Sequence, residues 1–204
     1  MMSLSLSMSA PLSALVSALV SALMLSLHRL GLVALLALLL PCTAGAQSAP
    51  AYIKQALPEA GLVGQGLYRW FGLSVYKARL WGDKTQVTPS GWQSSSFALE
   101  LEYTRTLYGE KIAIASIDEI KKLRLGSAAQ HEQWLADMKK IFPDVNEGQQ
   151  LTGVFTPGQA SRFFFNGKPI GDIDDPEFGL AFFGIWLHPK TSAPKLRQAL
   201  LGSK

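Results

Sequence analysis

Between residues 64 and 81 apolar and aromatic side chains crowd together: Leu67, Tyr68, Trp70, Phe71, Val75, Tyr76 and Leu80, with Gly72 breaking the run. Aromatic and β-branched enrichment around a glycine predicts two strands, or one bent strand with a bulge at Gly72. Residues 83–91, closing on Pro89-Ser90-Gly91, read as a turn-rich loop. Phe97, Leu99, Leu101 and Tyr103 then alternate with Ala98, Glu100 and Glu102, the signature of a strand with one wet face. Beyond it the period lengthens. Ile112, Ile120 and Leu123 recur near helical spacing opposite Asp118, Glu119, Lys121, Lys122 and Arg124, and a second helix carries Trp134, Leu135, Met138, Ile141 and Phe142 before Pro143.

Residues 151–155 and 162–165 predict two further strands around Pro157-Gly158, and Asn166-Gly167 predicts a tight turn into residues 170–173. Asp175-Pro176 reads as an N-cap followed by proline at the first helical position, opening a helix striped by Phe178, Ala181, Phe182, Ile185 and Trp186. A last short helix is expected from a Ser192 cap through Leu196, Ala199 and Leu200 to Gly202. Residues 47–60, with Pro50 and Pro58, read as a polar lead-in. The element order predicts one α+β domain over residues 47–204.

The first 46 of the 204 residues carry one charged side chain, Arg29. It precedes the apolar run 30–40, Pro41 and the small residues Ala44-Gly45-Ala46, the charged, apolar and small-residue order of a secretory signal cleaved after Ala46. Met24 would give such a leader ordinary length; an uncleaved amino-terminal anchor is the alternative. The apolar run is short for a membrane span, so no stable span is expected after processing. Periplasmic or secreted localisation follows as the expectation. Cys42, the single cysteine, lies in the leader, which excludes disulfides, thiol chemistry and cysteine metal sites from residues 47–204. Those residues hold 18 Lys and Arg against 15 Asp and Glu, a balance that argues against a nucleic-acid binder.

Little familiar chemistry is encoded. His131 and His188 lack partners at metal spacing, no nucleophile elbow occurs, and Gly64-Gln65-Gly66 lacks a phosphate-loop continuation. Neither a metal nor a cofactor is expected. His131 is expected in solvent, and Asp172, Asp174, Asp175 and Glu177 as a turn and helix cap. Polar groups set among aromatics remain: Arg69 between Tyr68 and Trp70, and Arg105 and Tyr108 where a strand yields to a helix. A guanidinium and a phenol beside an apolar wall suit an amphipathic carboxylate or a phenolate. Alternatively Arg69 pairs with Glu100 or Glu102 across the sheet and Tyr108 merely packs.

Taken in order, Gly64-Gln65-Gly66-Leu67-Tyr68-Arg69, Leu73-Ser74-Val75-Tyr76, Phe97-Ala98-Leu99-Glu100-Leu101, Tyr108-Gly109-Glu110-Lys111, Phe163-Phe164-Phe165-Asn166-Gly167 and Phe183-Gly184-Ile185-Trp186-Leu187 resemble the chalcone isomerase-like family, in particular its exported bacterial branch. The resemblance covers about residues 53–202. It implies an open-faced β-sandwich, a large antiparallel sheet backed by a layer of helices. In the plant isomerases an arginine, a threonine, a tyrosine and an asparagine orient an unsaturated ketone. Here Arg69 and Tyr108 match the arginine and tyrosine, while the other two positions fall near Phe71 or Gly72 and near Ala115. Non-catalytic members bind fatty acids with an arginine and a tyrosine. The resemblance therefore implies a binder of a small hydrophobic carboxylate, with Arg69, Tyr108 and Arg105 at the head and Phe163, Phe165, Phe182 and Trp186 around the tail. An isomerase or intramolecular lyase using Tyr108 and Arg69, and a structural or partner-binding envelope protein, are the alternatives. The oligomeric state is left open.

Overall fold

The structure, a computed structural model, describes residues 48–202. The expectations for the leader, including Met24, Arg29, Cys42 and cleavage after Ala46, lie outside the described residues. Six strands, β1 (Gly61–Trp70), β2 (Leu73–Gly82), β3 (Phe97–Tyr103), β4 (Gln150–Phe155), β5 (Ser161–Phe165) and β6 (Lys168–Ile173), form one antiparallel sheet in sequence order. A short helix α1 (Ala51–Ala56) precedes them. Helices α2 (Gly109–Leu123) and α3 (Ala128–Ile141) lie between β3 and β4, and α4 (Pro176–Leu187) and α5 (Pro194–Leu201) follow β6. This is the α+β arrangement of a large antiparallel sheet backed by helices.

Two turns show how local chemistry sets the sheet. Asn166 and Gly167 have φ of 48° and 77°, and Phe71 and Gly72 have φ of 46° and 81°. Both central residues lie in the left-handed region, the turn whose twist suits a two-residue hairpin. Asparagine tolerates that conformation well; phenylalanine does not.

The helix-facing side of the sheet holds the main core. Phe97, Leu99, Leu101 and Tyr103 of β3 point there, and so do Ala78 and Leu80 of β2. Helix α4 is buried well beyond one stripe: Phe183, Gly184 and Leu187 are covered as well as Phe178, Phe182 and Trp186, and only its first turns expose residues, Leu180 among them. Its amino end is fixed by Asp175, whose carboxylate accepts from the Glu177 backbone N–H at 2.9 Å and from Trp134 Nε1 at 2.7 Å. Helix α5 lies directly on β1. A side chain at Gly64 would strike the backbone carbonyls of Ala199 and Leu200, and one at Gly66 would meet Leu196 and Ala199. Close backbone approach therefore accounts for the Gly64-Gln65-Gly66 motif. Ala193, not Ser192, occupies the N-cap position of α5, with no side-chain cap, and the Ser192 hydroxyl donates instead to Glu119.

The opposite face of the sheet is not wet where β3 crosses it. Helix α1 and the residues before it cover it, packing Ile53 of the helix and the preceding Ala49 against Trp81, Ala98 and Val154. Glu100 is 1 % exposed and accepts from Arg79 at 2.7 Å and from the Tyr52 hydroxyl at 3.1 Å. Arg79 also donates to Glu102 at 2.8 Å. The partner of these carboxylates is thus Arg79, opposite Glu100 in register, and not Arg69. His131 is half-buried rather than in solvent, its Nε2 lying 2.7 Å from the Leu125 carbonyl.

Candidate functional site

Helix α2 packs against α3 and α4 more than against the strands, and a cleft opens beneath it. Its volume is about 510 Å³, within the range of small-molecule sites. Tyr68, Tyr76 and Tyr103 form its floor; they are direct cross-strand partners on β1, β2 and β3. Their rings follow one another across the sheet, Tyr68 on Tyr76 at 5.0 Å and Tyr76 to Tyr103 at 5.9 Å. Leu101, Leu151 and Val75 extend the floor, and Phe182, Ile185 and Trp186 of α4 make the back wall. The roof is the face of α2 that carries Lys111, Ile112, Ala115, Ser116 and Glu119. Spacings of three and four residues put these side chains on one side of a helix.

The two ends differ electrically. Arg105, just past β3, and Lys111, in the first turn of α2, line one end, and neither forms an ion pair among the described residues. Both stand near the helix N-terminus, where the backbone dipole adds to their positive potential. Eight residues further along α2, roughly 12 Å by helical rise, Glu119 closes the other end. Its carboxylate is already engaged, accepting from Lys122 at 2.6 Å and from the Ser192 hydroxyl at 2.5 Å.

Among the phenols, Tyr76 accepts a hydrogen bond from Trp186 Nε1 at 2.9 Å. Tyr103 is 2 % exposed, lines the cleft and has no hydrogen-bond partner for its hydroxyl among the described residues. Burial pushes the ionisation of both well above the ordinary phenol range, so both stay neutral and available as donors. The cleft thus offers apolar walls, one unengaged buried hydroxyl and two unpaired cations.

Of the expected site residues, Arg105, Phe182 and Trp186 line this cleft. Arg69 does not. It is exposed, and strand alternation between the cleft-lining Tyr68 and Trp70 carries it to the other face. Tyr108 is 64 % exposed at the N-cap of α2, its side chain outside the cleft wall. Phe163 is core behind Phe182, at a ring distance of 5.4 Å, and Phe165 packs against the same core; both sit on β5, beyond the strands that floor the cleft. Ala115 contributes only a methyl group to the roof, and Phe71 and Gly72 form the exposed β1–β2 turn. Sequence reasoning missed Tyr103 and Lys111 as site residues. Tyr103 continues the inward alternation of Leu99 and Leu101, which was the available signal.

The sequence model of the chalcone isomerase-like family matches residues 45–202. The chain belongs to the chalcone isomerase-like family. An uncharacterized protein of Haemophilus influenzae is 29 % identical over 140 residues, 69 % of this chain and 67 % of that one. The crystal structure of an Arabidopsis thaliana fatty-acid binding protein superposes with a TM-score of 0.58 at 12 % identity, covering 76 % of this chain and 89 % of that chain. At that identity the likeness establishes the chalcone isomerase-like fold and leaves the ligand to be argued from the cleft.

Proposed function

We propose that this protein is an exported, non-catalytic member of the chalcone isomerase-like family that binds a small amphipathic carboxylate of the fatty-acid type. The observation that carries the reading is the polarity of the cleft. Its apolar walls end at Arg105 and Lys111, two cations with no protein counter-ion. The carboxylate head is held there, with the Tyr103 hydroxyl donating, and the tail runs under α2 between the tyrosine floor and Phe182, Ile185 and Trp186. Glu119, at the far end, repels a second anion and sets the direction of entry. The fatty-acid-binding relative in the structural comparison supports the same ligand class. Export rests on the order of charge, apolar run and small residues up to Ala46. An isomerase would need its polarising groups beside the substrate, whereas Arg69 and Tyr108 stand outside the cleft.

Native mass spectrometry of the purified protein against a panel of fatty acids, with titration by displacement of a fluorescent fatty acid, tests this. Hydrogen bonds to a charged head contribute about 1.5–3 kcal/mol, so Arg105→Ala should weaken binding about 10- to 150-fold. Absence of any bound lipid, or unchanged affinity in Arg105→Ala, refutes the proposal. Turnover of a chalcone that disappears in Tyr103→Phe would establish the isomerase instead.

A further inference from the structure

The end of the sheet beside Arg105 and Trp70 of the cleft is unusual in what it exposes. Trp70, Phe71 and Leu73, at the β1–β2 turn, are 59 %, 88 % and 54 % exposed, and Tyr108, at the start of α2, is 64 % exposed. The only other large exposed apolar residue among those described is Leu180, at 37 %. These four residues share one end of the molecule. β3 runs alongside β2 so that the Thr104 N–H donates to the Val75 carbonyl at 2.9 Å, which carries Arg105 and the β3–α2 connection to the level of the turn. Trp70 is continuous with the cleft, since it lines it together with Arg105 and Lys111.

Nothing in the fold explains the phenylalanine at this turn. Phe71 occupies a left-handed position, φ 46°, unfavourable for a bulky side chain. Its one ring contact is an edge-on approach to Trp70 at 4.9 Å, itself exposed. The chain solves the same turn with Asn166-Gly167 at φ 48° and 77° elsewhere in the sheet. A residue that strains the backbone and buries nothing points to burial in something else.

The charge around the tip says what. Arg69, Arg105 and Lys111 flank these aromatics, and none is ion-paired among the described residues. Two carboxylates around the start of α2 are committed elsewhere: Glu110 accepts from Lys139 at 2.7 Å, and Asp144 accepts from the Gly109 backbone N–H at 2.8 Å. Tryptophan and tyrosine settle at the boundary between headgroups and acyl chains, phenylalanine and leucine enter it, and basic residues are drawn to anionic headgroups.

We propose that this end of the protein inserts the Trp70-Phe71-Gly72-Leu73 turn into the surface of an anionic lipid bilayer and so sets the part of the cleft lined by Trp70, Arg105 and Lys111 against the membrane. The inference rests on the ligand reading above for its purpose, transfer of an amphiphile between bilayer and cleft. The membrane contact itself stands on the tip alone.

Phe71→Asn is the test, because it installs the residue the chain already uses in the same turn and leaves the cleft lining intact. The full chain is sedimented with vesicles of phosphatidylglycerol and phosphatidylethanolamine, and with phosphatidylcholine vesicles as the uncharged control. Trp70 is an internal probe, since the other four tryptophans, Trp81, Trp92, Trp134 and Trp186, are at most 6 % exposed. Binding to the anionic vesicles, with quenching of Trp70 by brominated acyl chains, is expected. Burial of one phenylalanine is worth roughly tenfold or more in partitioning, so Phe71→Asn should lose at least that, with fatty-acid affinity in solution unchanged. Equal partitioning of the two proteins, or no quenching by brominated lipid, overturns the proposal. So does a concentration-dependent dimer abolished by Phe71→Asn without vesicle binding, since the tip would then meet a second copy. Vesicle binding by a protein that takes up no fatty acid would retain the membrane contact and remove the ligand reading.

Discussion

Two tyrosines of the cleft floor, neighbours across β2 and β3, should respond in opposite ways to loss of the hydroxyl. In Tyr76→Phe the Trp186 indole N–H loses its acceptor, a 2.9 Å hydrogen bond, within a buried wall. An orphaned buried donor costs about 1–3 kcal/mol, and for a domain of this length each kcal/mol lowers Tm by roughly 2–4 °C. Tyr76→Phe should therefore melt some 2–12 °C below the wild type on those scales. Tyr103→Phe removes a hydroxyl that no protein group bonds. Its Tm should stay within about 3 °C of wild type or rise, since the desolvated hydroxyl is relieved rather than a bond broken. Affinity runs the other way. A hydroxyl donating to a carboxylate contributes about 1.5–3 kcal/mol, so Tyr103→Phe should bind a fatty acid about 10- to 150-fold more weakly. Differential scanning calorimetry of the ligand-free proteins and a displacement titration supply both numbers. If Tyr103→Phe melts as low as Tyr76→Phe and binds like wild type, Tyr103 is a structural residue and the head-group assignment is wrong.

Two further outcomes are expected. Gly64→Ala drives a methyl group into the carbonyls of Ala199 and Leu200, while Gly61→Ala meets nothing within 4 Å; the first should lose roughly 1–3 kcal/mol in urea unfolding and the second should not, and equal stability would mean that α5 is not seated on β1. Tyr76 and Tyr103 ionise only well above the free phenol range because burial disfavours the phenolate. Above pH 10 the unfolded chain releases these protons and the native one does not, so stability is intact below that pH and falls as pH rises, by about 2.7 kcal/mol per unit for the pair. Absorbance at 295 nm should show the ionisation of Tyr76 and Tyr103 coinciding with loss of the far-ultraviolet helix signal; reversible ionisation of all five tyrosines with the helices intact would contradict the buried floor.

The hairpins, the Asp175-Pro176 cap and the change from a two-residue to a helical period were legible because each depends on residues next to one another. The face assignments were not. On β1 the helix-facing positions include Gly64 and Gly66, which are small because the backbone of α5 presses on them, so the most tightly packed side carries no apolar signal. Leu62, beside them, points the other way and packs under α1, across a bulge between Leu62 and Gly64. Counting by twos from Leu67 therefore put Arg69 on the wrong side. The wet face inferred for β3 failed for a related reason. The helix that covers Ala98 and Glu100 is six residues long, too short for its period to stand out between Pro50 and Pro58. The cleft itself gathers side chains from β1, β2, β3, β4, α2 and α4, a convergence set by topology that no local pattern announces.

The clasp of Tyr52 on Glu100 and Thr152 has a kinetic corollary. Each strand of the sheet pairs with the one before it in the chain, but the clasp joins residues 48 and 100 positions apart. Most pairings can form as soon as the next strand appears, whereas α1 has no complete seat until Thr152 is in place. The beginning of the domain thus cannot finish docking before β4 is in place, and until then Trp81, Ala98 and Val154 present an oily back to whatever surrounds the folding chain.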